Sequence, residues 1–426
     1  MKFYFPDSQD LISPTYDFIH DEYSPLRVRQ RDDKYAHETI EPTPYDGILV
    51  SKSIVDGSIS GAGKYSSAQR ARIHRLGVRR FFRLPDSVDS MGDNGAFAYV
   101  AEYAPPVTVD QVLDFYEQCG FDAGVSVDHI VFGFQQQDMY SEPDMGFTDK
   151  QAAWETRRQM TLDLAQAFLE ETRRRRMRMV PVGAAQGWSP GTYANSVERL
   201  QEMGYSRIAL GGMVPLRTRD ITSALSKVDD IRKPATELHL LGIGRFDAME
   251  SFAELGVTSL DSTSAFRQSF MDDRNNYHTA DSNYVAIRVP QVDGNVKLKR
   301  AILAGRVSQA EAVAAERDCL RVLRRYDSDG ATLGEVLAVV LKYDRLVRTD
   351  AERAKRSYDA DYETMLAKRP WKSCPCSLCA ACGIEIAIFR GTERNKRRGF
   401  HNLAVLASKM HGLPSRRAKS VRSLDG

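Results

Sequence analysis

The stretch MRMVPVGAAQGWSPGTYANSVERLQEMGYSRIALGG, residues 177–212, holds one repeating unit of the chain. A short apolar run, Met177–Gly183, ends in small residues. An amphipathic segment follows, with Tyr193, Val197 and Leu200 spaced i, i+4, i+7 as on one helix face. Gly204 stands where a helix C-cap would end it, and a second apolar run, Arg207–Gly211, comes next. Strand, helix and strand at this spacing read as a parallel β-α unit, because a crossover that contains a helix joins parallel neighbours.

The same alternation extends outward from about residue 47 to 270. Candidate strands are Gly47–Ser51, Arg79–Leu84, His129–Phe134, Met177–Gly183, Arg207–Gly211, Leu238–Gly242 and Val257–Asp261. Helical segments lie between them at Asp149–Arg176, Tyr193–Met203 and Phe246–Leu255, the last closed by Gly256. The expected fold class is α/β, a TIM-type (β/α)8 barrel with an inserted helical and zinc-binding subdomain, although only seven of the eight strands are visible. Residues 1–46, rich in Pro, Tyr and charge, read as an irregular N-terminal extension, and 47–270 as the main part of the barrel. Residues 271–370 read as a helical insertion, with helices near 296–327 and 331–350. A zinc-binding subdomain is expected over 371–412 and a basic tail over 413–426.

Hydrophobic residues make up 42% of the 426 and charged ones 27%, which excludes a disordered chain and leaves enough apolar mass for a large core. No run approaches the ~18 apolar residues of a membrane helix, and MKFYFPDSQD is no signal peptide, so a cytoplasmic protein is expected. A net charge of +2 means that attraction to a polyanion must come from clusters. Two clusters exist. Arg173 to Arg176 reads as the solvated end of a helix; Arg394, Lys396, Arg397 and Arg398 lie beside the cysteine-rich segment.

Four of the six cysteines fall within Cys374-Pro-Cys-Ser-Leu-Cys-Ala-Ala-Cys382. Thiols at C-x-C-x2-C spacing can converge on one tetrahedral ion, and in a cytosolic setting such clustering points to a metal, zinc first, rather than to disulfides. Cys374, Cys376 and Cys379 are three ligands; Cys382 and His401 are both candidates for the fourth.

Small-residue motifs close five of the candidate β-α units, where barrel enzymes carry their chemistry. They are Asp93-Asn-Gly-Ala-Phe97, Ala185-Gln-Gly187, Gly211-Gly-Met-Val214, Leu241-Gly-Ile-Gly244 and Asp261-Ser-Thr-Ser264. Each alone is a common turn signal, whereas five in succession suit a flat ligand lying close to backbone. In this order, and with the cysteine motif and His401-Asn-Leu403, the chain resembles the tRNA-guanine transglycosylase superfamily over roughly residues 45–405.

That resemblance implies a pentosyltransferase that exchanges guanine in a nucleic acid for a 7-deazaguanine base through a covalent glycosyl-enzyme. It implies Asp261 as nucleophile and Asp93 as acid/base, and Phe97, Gln186, Gly211 and Gly212 as base-binding residues. Gln135 falls where the family has a base-reading aspartate, with Asp128 as the alternative. It selects His401 over Cys382 as fourth ligand of a structural Zn2+. Gly211-Gly-Met-Val-Pro-Leu216 is similar to the branch that accepts the nitrile base preQ0. Residues 388–402 resemble the DpdA branch, which acts on DNA, so Arg267, Arg394, Lys396, Arg397 and Arg398 are expected to contact nucleic acid. A helper protein that opens the duplex is a further implied partner; the sequence identifies no oligomer interface. Two alternatives stand beside this reading: a tRNA enzyme making queuosine or archaeosine precursors, and a zinc-containing nucleic-acid-binding protein without catalysis.

Overall fold

The computed structural model describes residues 1–7, 10–57, 63–136 and 148–413. Eight parallel strands close into a barrel: β1 Lys2–Pro6, β2 Gly47–Ser51, β3 Asp89–Asp93, β4 Ala123–Val125, β5 Val180–Ala185, β6 Arg207–Leu210, β7 Glu237–Leu240 and β8 Val257–Asp261. The TIM-type barrel is therefore observed. Its interior is filled by Tyr4, Leu49, Met91, Val125, Val182, Ala184 and Ala209.

The eighth strand lies within the segment that reads as irregular. Phe3, Tyr4 and Phe5 are all buried in β1, which pairs with both β2 and β8 and so forms the seam. Two further strands differ from the sequence reading. Arg79–Leu84 is the end and exit of the helix Ser67–Phe82, which starts on a capping box of Ser66 and Gln69, and the strand is Asp89–Asp93. His129–Phe134 is loop, and the strand is Ala123–Val125. The true strands look weak in sequence because glycines stand where apolar side chains are expected. Tyr116, on the helix Val109–Cys119, covers both: a Cβ at Gly92 or Gly124 would lie 2.4 or 2.5 Å from its ring. The Tyr116 hydroxyl donates to the carbonyl of Val125 at 3.0 Å.

The chain divides into two compact units, one made of the described residues of Met1–Ser8, Tyr45–Thr263 and Met410–Gly426, the other of those of Gln9–Pro44 and Ser264–Lys409. The second is mainly helical, with Val296–Leu303, Gln309–Asp327, Leu333–Val347, Asp359–Lys368 and Gly391–His411 as its longer helices. The basic tail from residue 414 lies outside the described residues. Among the described residues no helix is long and apolar enough to cross a membrane.

Candidate active site and metal centre

Parallel strands deliver their last residues to one rim, and there the barrel gathers three acids: Asp93 ends β3, Asp261 ends β8, and Asp128 lies three residues beyond β4. Asp128 and Asp261 are buried. Burial, with the charges of Asp128 and Asp261 adding to it, pushes the Asp93 carboxyl up to about 7, against the weaker pull of hydrogen bonds from Ser51 and the Gly95 amide. Burial also raises Asp128, partly offset by hydrogen bonds from Asn94 and Gln186.

Those two amides define the inner wall. Asn94 Nδ2 donates to Asp128 Oδ1 at 2.9 Å and Gln186 Nε2 to Asp128 Oδ2 at 2.6 Å. Tyr99 donates to Asn94 and to the Asp128 carbonyl. Gln186 in turn accepts from the Val131 amide at 3.3 Å and packs against Gly211 and Gly212, where an added Cβ would stand 2.3 and 2.7 Å from its amide. Gly212 also has φ +73°, a backbone that L side chains rarely adopt.

Asp261 Oδ1 accepts from the Gly242 amide at 2.9 Å and lies 3.1 Å from His239 Nε2. Phe97, on the short turn Ala96–Tyr99, is 57% exposed, as is fitting for a stacking surface, and its ring lies 6.0 Å from that of the exposed Phe132.

The structure thus brings together Asp93, Asp128, Asp261, Gln186, Gly211 and Gly212. It does not bring Gln135 into the network, since that amide oxygen accepts from Gln151 Nε2 at 2.9 Å and its backbone N–H bonds to the Trp188 carbonyl. The acid that the network does hold is Asp128, through Asn94 and Gln186. Phe132 and His239 were not singled out in the sequence; a histidine inside the apolar strand Leu238–Gly242 was the available signal for the second.

In the helical unit, Cys374, Cys376, Cys379 and His401 converge, with their ligand atoms all within 4.8 Å of one another. The three sulfurs lie 3.5, 3.4 and 3.3 Å from His401 Nδ1. His401 Nε2 donates to the His278 carbonyl at 2.8 Å, which leaves Nδ1 as the free lone pair facing the thiols, the tautomer a metal needs. Tyr277 stacks on the imidazole at 4.3 Å. This set of three thiols and one imidazole can hold a metal ion, and Cys382 is outside it.

The expected contact of Arg394, Arg397 and Arg398 with nucleic acid is corrected by their burial. Arg394 binds Glu385, Asp21 and the Phe18 carbonyl; Arg397 binds Glu393 and the Ser13 carbonyl. Arg398 donates to the carbonyls of Ile386, Ile388 and Ser269. Arg394 and Arg397 stitch residues 10–44 to the helix Gly391–His411, Arg398 ties that helix to residues 269 and 386–388, and burial keeps all three from phosphate. Lys396 is partly exposed and pairs with Asp10 at 3.2 Å. Arg267 is exposed, and its guanidinium lies against the Met271 sulfur.

No protein-family model matches the chain. Over 412 residues, 96% of this chain and 96% of the relative, the sequence is 46% identical to a DNA-guanine transglycosylase of Salmonella montevideo. With that identity sustained across nearly the full length of both proteins, the chain belongs to the DNA-guanine transglycosylase family.

Proposed function

We propose that this protein exchanges guanine in DNA for a 7-deazaguanine base, preQ0, by double displacement. The observation that carries the reading is the pairing at one barrel rim of a carboxyl poised near neutrality, Asp93, with a second, hydrogen-bonded carboxylate, Asp261. A target guanine has to leave the duplex stack to reach this rim. Asp261 attacks C1′ as the C1′–N9 bond breaks, and the bond pair leaves with guanine, which takes a proton from Asp93. The incoming base returns that proton to Asp93 and attacks C1′, releasing Asp261.

Guanine presents two donors, N1–H and N2–H, on its pairing edge. Asp128 as a carboxylate offers acceptors and no donor, and its orientation is fixed by Asn94 and Gln186, so it reads that edge; a 7-deazaguanine has the same edge and fits equally. Phe97 stacks on the base, and the glycines at 211 and 212 keep Gln186 against Asp128. Cys374, Cys376, Cys379 and His401 would hold a structural Zn2+, whose four protein ligands leave no position for substrate. Arg267 supplies a phosphate contact, and a helper protein opens the duplex.

The test is incorporation of labelled preQ0 into plasmid DNA and bulk tRNA, side by side, in cells carrying the wild-type chain or Asp261→Ala. Label in DNA that vanishes with the variant is the expected result. Label in tRNA alone, or label in DNA that survives Asp261→Ala, overturns the reading.

A further inference from the structure

His239 lies inside the barrel and has no part in the exchange scheme above. It is fully buried among inward-facing neighbours that are otherwise mostly apolar, where an imidazole is costly unless both nitrogens are paired. Both are: Nδ1 lies 2.9 Å from Ser259 Oγ and Nε2 lies 3.1 Å from Asp261 Oδ1. The Tyr4 ring meets the imidazole edge-on at 5.6 Å.

Strand register is built around this contact. Leu238 pairs with Val257, but His239 pairs with Ser259, so Thr258 is the extra residue of an irregularity between β7 and β8. Its hydroxyl is tied back to the Leu238 carbonyl at 3.0 Å. In regular register His239 would face Thr258, and the slip turns it toward Ser259 and Asp261 instead. Bulges beside active sites commonly re-aim a side chain in this way.

A carboxylate only accepts, so Nε2 carries the proton of the His239–Asp261 bond, and the Ser259 hydroxyl secures the other nitrogen. The Gly242 amide donates to the same oxygen, Oδ1. Among the described residues no donor reaches Oδ2. We infer that His239 is a positioning residue that, with the Gly242 amide, anchors Oδ1, leaves Oδ2 as the attacking atom and speeds release of Asp261 in the second half of the exchange. This rests on the base-exchange reading given above.

In the first half, an Oδ2–C1′ bond forms as C1′–N9 breaks, and Oδ1 becomes the ester carbonyl oxygen. In the second, N9 of the incoming base bonds to C1′ while C1′–Oδ2 breaks, and the electron pair returns to the carboxylate. The negative charge that develops is shared with Oδ1, where two N–H donors are already aimed. The donors therefore make Asp261 a better leaving group, and the glycosyl ester should outlive its normal span without them.

The test follows exchange of radiolabelled guanine into plasmid DNA, and the covalent protein–DNA adduct on denaturing gels, in lysates containing the full-length wild type, His239→Leu or His239→Gln. His239→Leu should lower turnover about 100-fold, the usual effect of one lost donor at a developing charge, with half-saturation by DNA unchanged and adduct accumulating. His239→Gln, whose amide can donate to Oδ1, should recover most of the turnover. Wild-type turnover in His239→Leu, or equal loss in both variants without adduct, overturns the inference. If His239→Leu fails to fold, Ser259→Ala decides: several-fold slower turnover with more adduct supports the role, and wild-type behaviour removes it. A wild-type chain that exchanges no guanine would instead overturn the base-exchange reading, so the two failures are distinguishable.

Discussion

Gln186 Nε2 lies 2.6 Å from Asp128 Oδ2, and the backbones of Gly211 and Gly212 close the space into which that amide could turn away. One hydrogen bond at the barrel rim thus depends on two absent side chains. Gly211→Ala should push Gln186 off Asp128, raise KM for DNA ~10-fold and lower stability by roughly 1–3 kcal/mol, the cost of freeing one partner of a buried hydrogen bond. Steady-state guanine exchange and a thermal melt together check this. Gly212→Ala should be worse in both, because its φ of +73° adds strain.

Asp93 gives a pH signature of defined sign. Its carboxyl is held near 7 in the folded protein against an ordinary value of 3.8, so the folded state binds the proton more tightly. The cost of burying its charge is absent at low pH and grows as pH rises from about 4 through 7. Asp93→Asn should therefore raise stability at pH 8 by on the order of 1–3 kcal/mol, seen as a higher melting temperature, but hardly at pH 4, while abolishing exchange. Equal melts for both forms at pH 8 would contradict the assignment. In the wild type, release of the first guanine should decline above about pH 7 as the acid form is lost.

Buried and exposed arginines should separate cleanly. Arg398→Ala removes a guanidinium that donates to three backbone carbonyls and, by leaving them unsatisfied, should cost roughly 1–3 kcal/mol of stability without altering the salt dependence of DNA binding. Arg267→Ala should do the reverse, leaving the melt in place and reducing the slope of log affinity against log salt by about one. Denaturant curves and binding titrations at several ionic strengths measure the two.

Metal analysis of the purified chain should find about one zinc per molecule, consistent with a closed four-ligand site. His401→Ala should lose it and Cys382→Ala should keep it. Removal by a chelator should lower the melting temperature even without DNA, because a structural ion contributes directly to folding.

Much of this was legible in the sequence wherever chemistry was local. The motif at residues 374–379 needed only spacing to be found, whereas the motifs at 93, 186, 211 and 261 stood out through their order along the chain and the resemblance that order carries. That Gln135 lies outside the Asp128 network was not legible, because register along a loop cannot be counted from a strand whose own position, Ala123–Val125, is hidden by Gly124 under Tyr116. The burial of the basic run at 394–398 was hidden for another reason: Glu393 and Glu385 are near in sequence, but Asp21, the Ser13 carbonyl and the Ser269 carbonyl, which complete its partners, are more than a hundred residues away. Strand β1 was missed because five residues carry too little periodicity to stand out.

The seam formed by β1 also governs the order in which the molecule can be completed. Lys2 pairs with Ser259, and Tyr4 with Asp261, across about 250 residues of intervening chain. On the ribosome, the aromatic edge of β1 waits while the other strands emerge, and the nucleophile arrives on the strand that finally covers it. A product stopped short of residue 257 would expose two open sheet edges and be a ready target for aggregation or proteolysis. A barrel able to cut a glycosidic bond in DNA is thereby one whose synthesis has already passed its closing strand.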